Sequence, residues 1–268
     1  MLEYMTEFLI SGFYFPALTW NQLLLGIGLG LLFGGIWFAA YWTPILKRPW
    51  AWWILVASAF LSWVAVAFVQ LPLQIWVGQA INHFWEQEVV MRWLLLIGIP
   101  QILLSGLVQE GSKLVPVVIF WWRHDRAISP KTGLVIGAVA GLGLGVFEAV
   151  WAHNQILASG WTWEAVQSGG LIMLAGFWER FFSVSVHIAM SALAGYGLAK
   201  GWGWQFYLLA ALIHSITNYS IVLLQKGIFT IYHVEIYVAV IAVLITAAIL
   251  WLRWRRTETD MDDIDYDE

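Results

Sequence analysis

Long apolar runs separated by short polar or basic connections set the rhythm of this chain. Windows of about 19 residues place membrane-length helices near 20 to 42, 51 to 70, 93 to 121, 132 to 154, 171 to 199, 204 to 225 and 232 to 252. Runs such as Leu23 to Trp42 and Val238 to Leu252 are of the kind that carries a helix across the hydrocarbon layer, which takes about 20 residues. They are continuous rather than alternating, which argues against a β-barrel of short strands. The pattern therefore predicts an all-α integral membrane protein, a bundle of about seven transmembrane helices. Between the second and third spans, Leu73, Val77, Ile81 and Phe84 recur at helical spacing beside Gln74, Asn82, Glu86 and Glu88. That stretch is expected to be a helix lying on the outer surface.

Charge sets the expected orientation. Lys47 and Arg48 follow the first span, Arg123, Arg126 and Lys131 the third, Lys200 the fifth, and Arg253, Arg255 and Arg256 the seventh. By the positive-inside rule these connections are cytoplasmic, so the N-terminus is expected outside and the C-terminus in the cytoplasm. Tryptophans such as Trp50, Trp52, Trp121, Trp122, Trp202 and Trp204 fall at span ends, where indole favours the headgroup region. The composition agrees: 61% of residues are hydrophobic and 11% charged, against about 25% charged in a soluble domain. With no cysteine, disulfides, thiolate catalysis and cysteine-ligated zinc are excluded. The N-terminal MLEYMTEF lacks the basic region of a signal peptide, so the first span is expected to direct insertion. No internal repeat is evident. The organisation expected is one polytopic membrane domain, residues 1–256 with a motif-bearing core at about 93–225, and an acidic, solvated cytoplasmic tail at 257–268. No nucleic-acid partner is expected.

Several polar residues interrupt these spans: Glu110 and Lys113 in the third, Glu148 in the fourth, Glu179, Arg180 and His187 in the fifth, His214 and Asn218 in the sixth. A charge at the centre of a membrane helix costs roughly 2.5–3.5 kcal/mol on insertion scales, so such groups face the bundle interior and mark functional sites. Taken singly, Glu110 with Lys113 reads as an intrahelical ion pair, and either histidine as a packing residue bonded to a carbonyl. Counting from the cytoplasmic ends, however, brings Glu110, Glu148, His187 and His214 to one depth within about a helical turn. Gly137, Gly141 and Gly145 form a small-residue ridge that Glu148 continues, Ser183, His187 and Ser191 share a face, and so do His214 and Asn218. Glu179 and Arg180 lie nearer the outer boundary and are expected to pair, while His153, His233 and Glu235 are read as solvated there.

Two imidazoles and a carboxylate can bind Zn²⁺ in a three-ligand catalytic site, and a second carboxylate can take a proton from water. Glu110, Glu148, His187 and His214 supply that complement, from separate helices and without an HExxH motif. Lys113 can keep Glu110 ionised or stabilise an oxyanion, and Asn218 can donate to the same oxyanion. Peptide-bond hydrolysis within the membrane is the chemistry this set favours. A metal-free glutamate protease, an ion or proton transporter, and a non-catalytic partner-binding membrane protein are the alternatives. A transporter needs polar lining on both sides of the midplane, whereas these residues concentrate at one level.

Four motifs occur in order: Q-E-G-S-K from Gln109 to Lys113, G-L-G-L-G-V-F-E ending at Glu148, E-R-x6-H from Glu179 to His187, and H-S-I-T-N from His214 to Asn218. Together they resemble the PrsW and YhfC intramembrane metalloproteases, relatives of the type II CAAX-processing and bacteriocin-processing proteases. The PrsW pattern opens with two glutamates, and here the first of that pair is Gln109. Glu148 stands where the CAAX-type relatives have histidine, which favours the PrsW side. The resemblance implies that Glu110 activates water, that Glu148, His187 and His214 hold a metal, with Zn²⁺ expected, or position the water, and that Lys113 and Asn218 assist. It also implies a bacterial cytoplasmic membrane and a membrane-anchored protein substrate such as an anti-sigma factor.

Overall fold

The computed structural model describes residues 1–41 and 43–255; Trp42, Arg256 and the acidic tail at 257–268 lie outside the described residues. Eleven α-helices follow one another among them: α1 (Leu2–Ser11), α2 (Trp20–Ala39), α3 (Pro49–Ala65), α4 (Leu71–Phe84), α5 (Gln87–Arg92), α6 (Leu94–Arg123), α7 (Pro130–Ala158), α8 (Trp163–Gly169), α9 (Ala175–Ala199), α10 (Gly203–Gln225) and α11 (Ile231–Trp254). No strand occurs among the described residues. Seven helical stretches are long and apolar enough to cross a membrane, so the chain is a multi-pass integral membrane protein.

Local chemistry sets several helix starts. Thr19 caps α2 in a reciprocal pair with Gln22, and Ser129 caps α7 by accepting from the Thr132 N–H, followed by Pro130 at the first helical position. The second span departs from expectation. A π-helical turn, Val66–Gln70, joins α3 directly to α4, so Pro49–Phe84 is one continuous helix of 36 residues rather than a span followed by a separate surface helix. At 1.5 Å per residue this is about 54 Å, longer than a bilayer with its headgroups. Pro72 did not break the helix because it lies in the first turn after the π turn, where the ladder is already rearranged.

The small helix α1 was not foreseen. It packs on the second span, where Phe8 stacks on Trp63 at 4.6 Å and the Trp63 indole donates to the Leu9 carbonyl at 3.0 Å.

Helices α7 and α9 form the centre. In their most apolar stretches 78% and 83% of residues are buried within the protein, against 22–39% in the other five spans. The two helices run antiparallel with small residues in register: Gly133 lies against Gly195, Gly137 against Ser191, and Gly141 against His187. A Cβ at Gly137 or Gly141 would collide with the facing backbone carbonyl oxygen. Such close approach is how membrane helices gain packing energy without a hydrophobic drive between them. The other spans pack around this pair: α2 and α3 against α7, α6 against α10, and α10 and α11 against α9.

Candidate active site

The register of α7 and α9 explains how Glu148 meets His187. Side chains lean toward the N-terminus of their own helix. Because the helices are antiparallel, the His187 ring leans from the level of Gly141 past Gly145 toward the C-terminal half of α7. Its Nε2 lies 3.0 Å from Glu148 Oε2. The same geometry operates between α6 and α10, where Gly106 faces the Ala211 backbone and the Ser215 hydroxyl. His214 leans back along α10 and places Nδ1 2.6 Å from Glu110 Oε1.

Lys113 links the two pairs. Its ammonium donates to Glu110 Oε1 at 2.7 Å and lies 3.2 Å from His187 Nδ1, so one chain of contacts runs Glu148, His187, Lys113, Glu110, His214 across four helices. Glu110 and Lys113 are fully buried, and His187 and His214 are 5% and 4% exposed. The two imidazoles stand edge to face with centroids 5.3 Å apart.

A cavity of about 360 Å³ reaches this cluster, within the range of small-molecule sites. Glu148, His187, His214 and Asn218 line it, whereas Glu110 and Lys113 lie behind that lining. One ligand atom each from Glu110, His187 and His214 fall within 4.8 Å of one another, close enough to share one ion. Glu110 Oε2 is buried with no hydrogen-bond partner. With the imidazoles neutral, the cavity and its floor hold three carboxylates (Glu110, Glu148, Glu179) against two cations (Lys113, Arg180), a balance that favours an added cation. These residues, two imidazoles and a carboxylate, fit a metal ion.

Of the residues singled out in the sequence, the structure brings Glu110, Lys113, Glu148, His187 and His214 into one network. Asn218, one turn beyond His214, lines the same cavity, and its amide donates to Ser105 Oγ at 3.2 Å. Arg180 pairs with Glu179 as expected and also reaches Glu148 at 3.5 Å, a contact that follows only from the α7–α9 register. His153 is a correction. It is fully buried rather than solvated, stacked on Phe177 and edge-on to Phe33, because α2 and α9 cover that face of α7. His233 is exposed and caps α11 through Thr230, while Glu235 is half-buried beside Trp178.

Sequence reasoning missed Gln70. It is buried at the end of the π turn and accepts a hydrogen bond from Gln109 at 3.1 Å. Its only signal was an amide closing an otherwise apolar run.

No curated protein and no solved structure matches the chain. A family model does match, over residues 47–249, which takes in all four motifs and every helix that contributes to the cavity. With that match the chain belongs to the PrsW family of intramembrane metalloproteases.

Proposed function

We propose that this protein is an intramembrane metalloendopeptidase that uses Zn²⁺ to cleave a peptide bond in a membrane-anchored protein. The observation that carries this reading is the convergence of Glu110, His187 and His214 within 4.8 Å at the end of a polar cavity, with Glu148 beside them. His187, His214 and Glu110 would hold the ion. When bound, Zn²⁺ in such a setting supplies Lewis acidity, polarising a carbonyl and lowering the pKa of water.

Glu148 faces the cavity and is placed to take a proton from water and return it to the leaving amine. Lys113 holds Glu110 in its ionised, metal-binding form. Arg180 orients Glu148, and the Asn218 amide has a second N–H to offer a developing oxyanion. The sequence motifs suggest the exchanged arrangement, with Glu148 as ligand and Glu110 as base. Glu110 is favoured as ligand because it is fully buried and grouped with both imidazoles.

The substrate class proposed is a single-span regulatory protein such as an anti-sigma factor, in a bacterial cytoplasmic membrane. The orientation proposed places the N-terminus outside, since Lys47, Arg48, Arg123, Arg126, Lys131, Lys200, Arg253 and Arg255 all lie in alternate connections, at the helix ends that flank them, or at the end of α11. A peptide bond must leave its helix to be cut, so substrates with helix-breaking residues at the cut should be favoured.

Zinc per chain in purified wild type, Glu110→Gln, Glu148→Gln, His187→Ala and His214→Ala tests the assignment. About one zinc in wild type and Glu148→Gln, and none in the other three, is the expected result. Zinc kept by Glu110→Gln and lost by Glu148→Gln would exchange the two glutamates. A zinc-free wild type that still cleaves a reporter would replace the metal mechanism by a glutamate one.

A further inference from the structure

A row of side-chain amides crosses from the second span to the cavity. Gln74 donates to the Gln101 carbonyl at 2.8 Å, and Gln101 donates to the Gln74 carbonyl at 2.9 Å. Gln70 donates to Gln74 Oε1 at 3.4 Å, and Gln109 donates to Gln70 Oε1 at 3.1 Å and to Ser105 Oγ at 3.3 Å. Asn218 reaches the same Ser105 hydroxyl from α10. Amide oxygen and nitrogen look alike in shape, but here chemistry orients each group. The Gln101 carbonyl accepts only, so Gln74 must present its NH₂ there and its oxygen to Gln70. That turns the Gln70 oxygen toward Gln109, and Gln109 must answer with its NH₂. The Gln109 oxygen is left over.

That oxygen is buried with no partner, on a side chain that is 7% exposed and lines the cavity. Buried acceptors are nearly always bonded, so a donor belongs there in the working state. The π turn makes the arrangement possible. Ser62 and Gln70 are eight residues apart, about 80° off one another on an unbroken α-helix. The extra residue of the π turn brings both onto the face toward α6, where Ser62 meets Ser112 at 3.0 Å and Gln70 meets Gln109.

We infer that Gln109 is a substrate-binding residue, whose side-chain oxygen accepts a backbone N–H of a peptide segment unwound in the cavity. The inference rests on the protease reading above. An unwound segment in a membrane exposes N–H groups that water does not reach, so an acceptor held rigid at the cavity wall lowers the cost of opening the helix. The amide is neutral at every pH, and both its N–H donors are committed to Gln70 and Ser105. It therefore offers acceptance alone, beside Asn218, which offers donation. The pair matches the alternating N–H and C=O of an extended strand.

The test is a double-perturbation binding measurement on metal-stripped protein in detergent. The probe is a dye-labelled leucine-rich segment of about 22 residues with a central Gly-Pro break, prepared unmodified and with single backbone N-methyl groups around the break. Wild type should bind the unmodified segment, and one N-methyl position should weaken binding by about tenfold. Gln109→Met should bind the unmodified segment about tenfold more weakly and no longer respond to that N-methyl group. If the Met variant does not fold, Gln109→Asn, which withdraws the amide by one methylene, reads the same coupling. Binding by Gln109→Met equal to wild type, N-methyl effects that persist in it, or no binding by wild type would each overturn the inference. Intact coupling without cleavage by the zinc-loaded enzyme would instead sink the protease reading and leave Gln109 as the acceptor of a bound peptide segment that is not a substrate.

Discussion

The contact between α7 and α9 and the contact between the second span and α6 are both close helix pairings built from opposite chemistry. In the first, glycines of α7 meet backbone carbonyls of α9 directly, at Gly133, Gly137 and Gly141. In the second, serines and glutamines bridge the helices through Ser62 with Ser112, Gln70 with Gln109 and Gln74 with Gln101. The glycine contact has no slack, so it fixes the depth and facing of Glu148 and His187. The amide contact leaves the Gln109 side-chain oxygen without a partner, so it suits a wall that must accept a substrate. The carboxylate and imidazole groups sit where the glycine pair meets the polar one.

This contrast can be broken at either side. The largest effect should come from Gly141→Leu, whose side chain would displace the His187 backbone; loss of folded protein and of zinc, seen by size-exclusion chromatography and metal analysis, is expected. Gly28→Ala, in open space on α2, should stay within about 0.5 kcal/mol of wild type in an unfolding titration, and an equal loss at both glycines would refute the register argument.

Next, Lys113→Met leaves the Glu110 carboxylate buried without its cation and should cost about 3–5 kcal/mol of stability. Adding Glu110→Gln should recover much of that loss. If the double variant is no better than Lys113→Met, the pair is not coupled as described.

Arg180→Gln removes the cation beside Glu148 and leaves its contact with His187 in place. A fall in kcat/KM of roughly 10–100-fold with zinc content unchanged is expected, partly restored by Arg180→Lys, whose single ammonium cannot bridge both glutamates as well. Zinc loss in Arg180→Gln would show that it supports the metal set instead. The smallest effect lies in the polar contact: a Ser62→Ala and Ser112→Ala double-mutant cycle should give a coupling of about 0.6 kcal/mol. A coupling of several kcal/mol would mean that these hydroxyls join the two helices far more strongly than membrane hydrogen bonds usually do.

Much of the site was legible from the pattern of polar residues within apolar spans. Glu110, Lys113, Glu148, His187 and His214 stood out because each is costly in an apolar span, and counting rise per residue placed the two carboxylates and the two imidazoles at one depth. Gln70 escaped notice because an uncharged amide at the end of a hydrophobic run costs little and carries no periodic signal. His153 was misread for the complementary reason. Its position near a span end suggested solvent, but whether a residue is wet there depends on which helices cover it. The helix continuing from α3 into α4 was mistaken for a separate surface element, since its amphipathic spacing is the same in either case.

Hydrophobic runs of bilayer length, bounded by basic connections, determined the number of spans and, except for the second, nearly their ends, because crossing hydrocarbon is a constraint each segment meets by itself. The expense of burying charge likewise marked the chemical residues one at a time. Which of them touch was decided only in three dimensions. The 78% and 83% burial of α7 and α9, the reach of Arg180 to Glu148 and the leftover oxygen of Gln109 all depend on which helices are neighbours and in what register. That information resides in pairs of surfaces, and no single helix carries it.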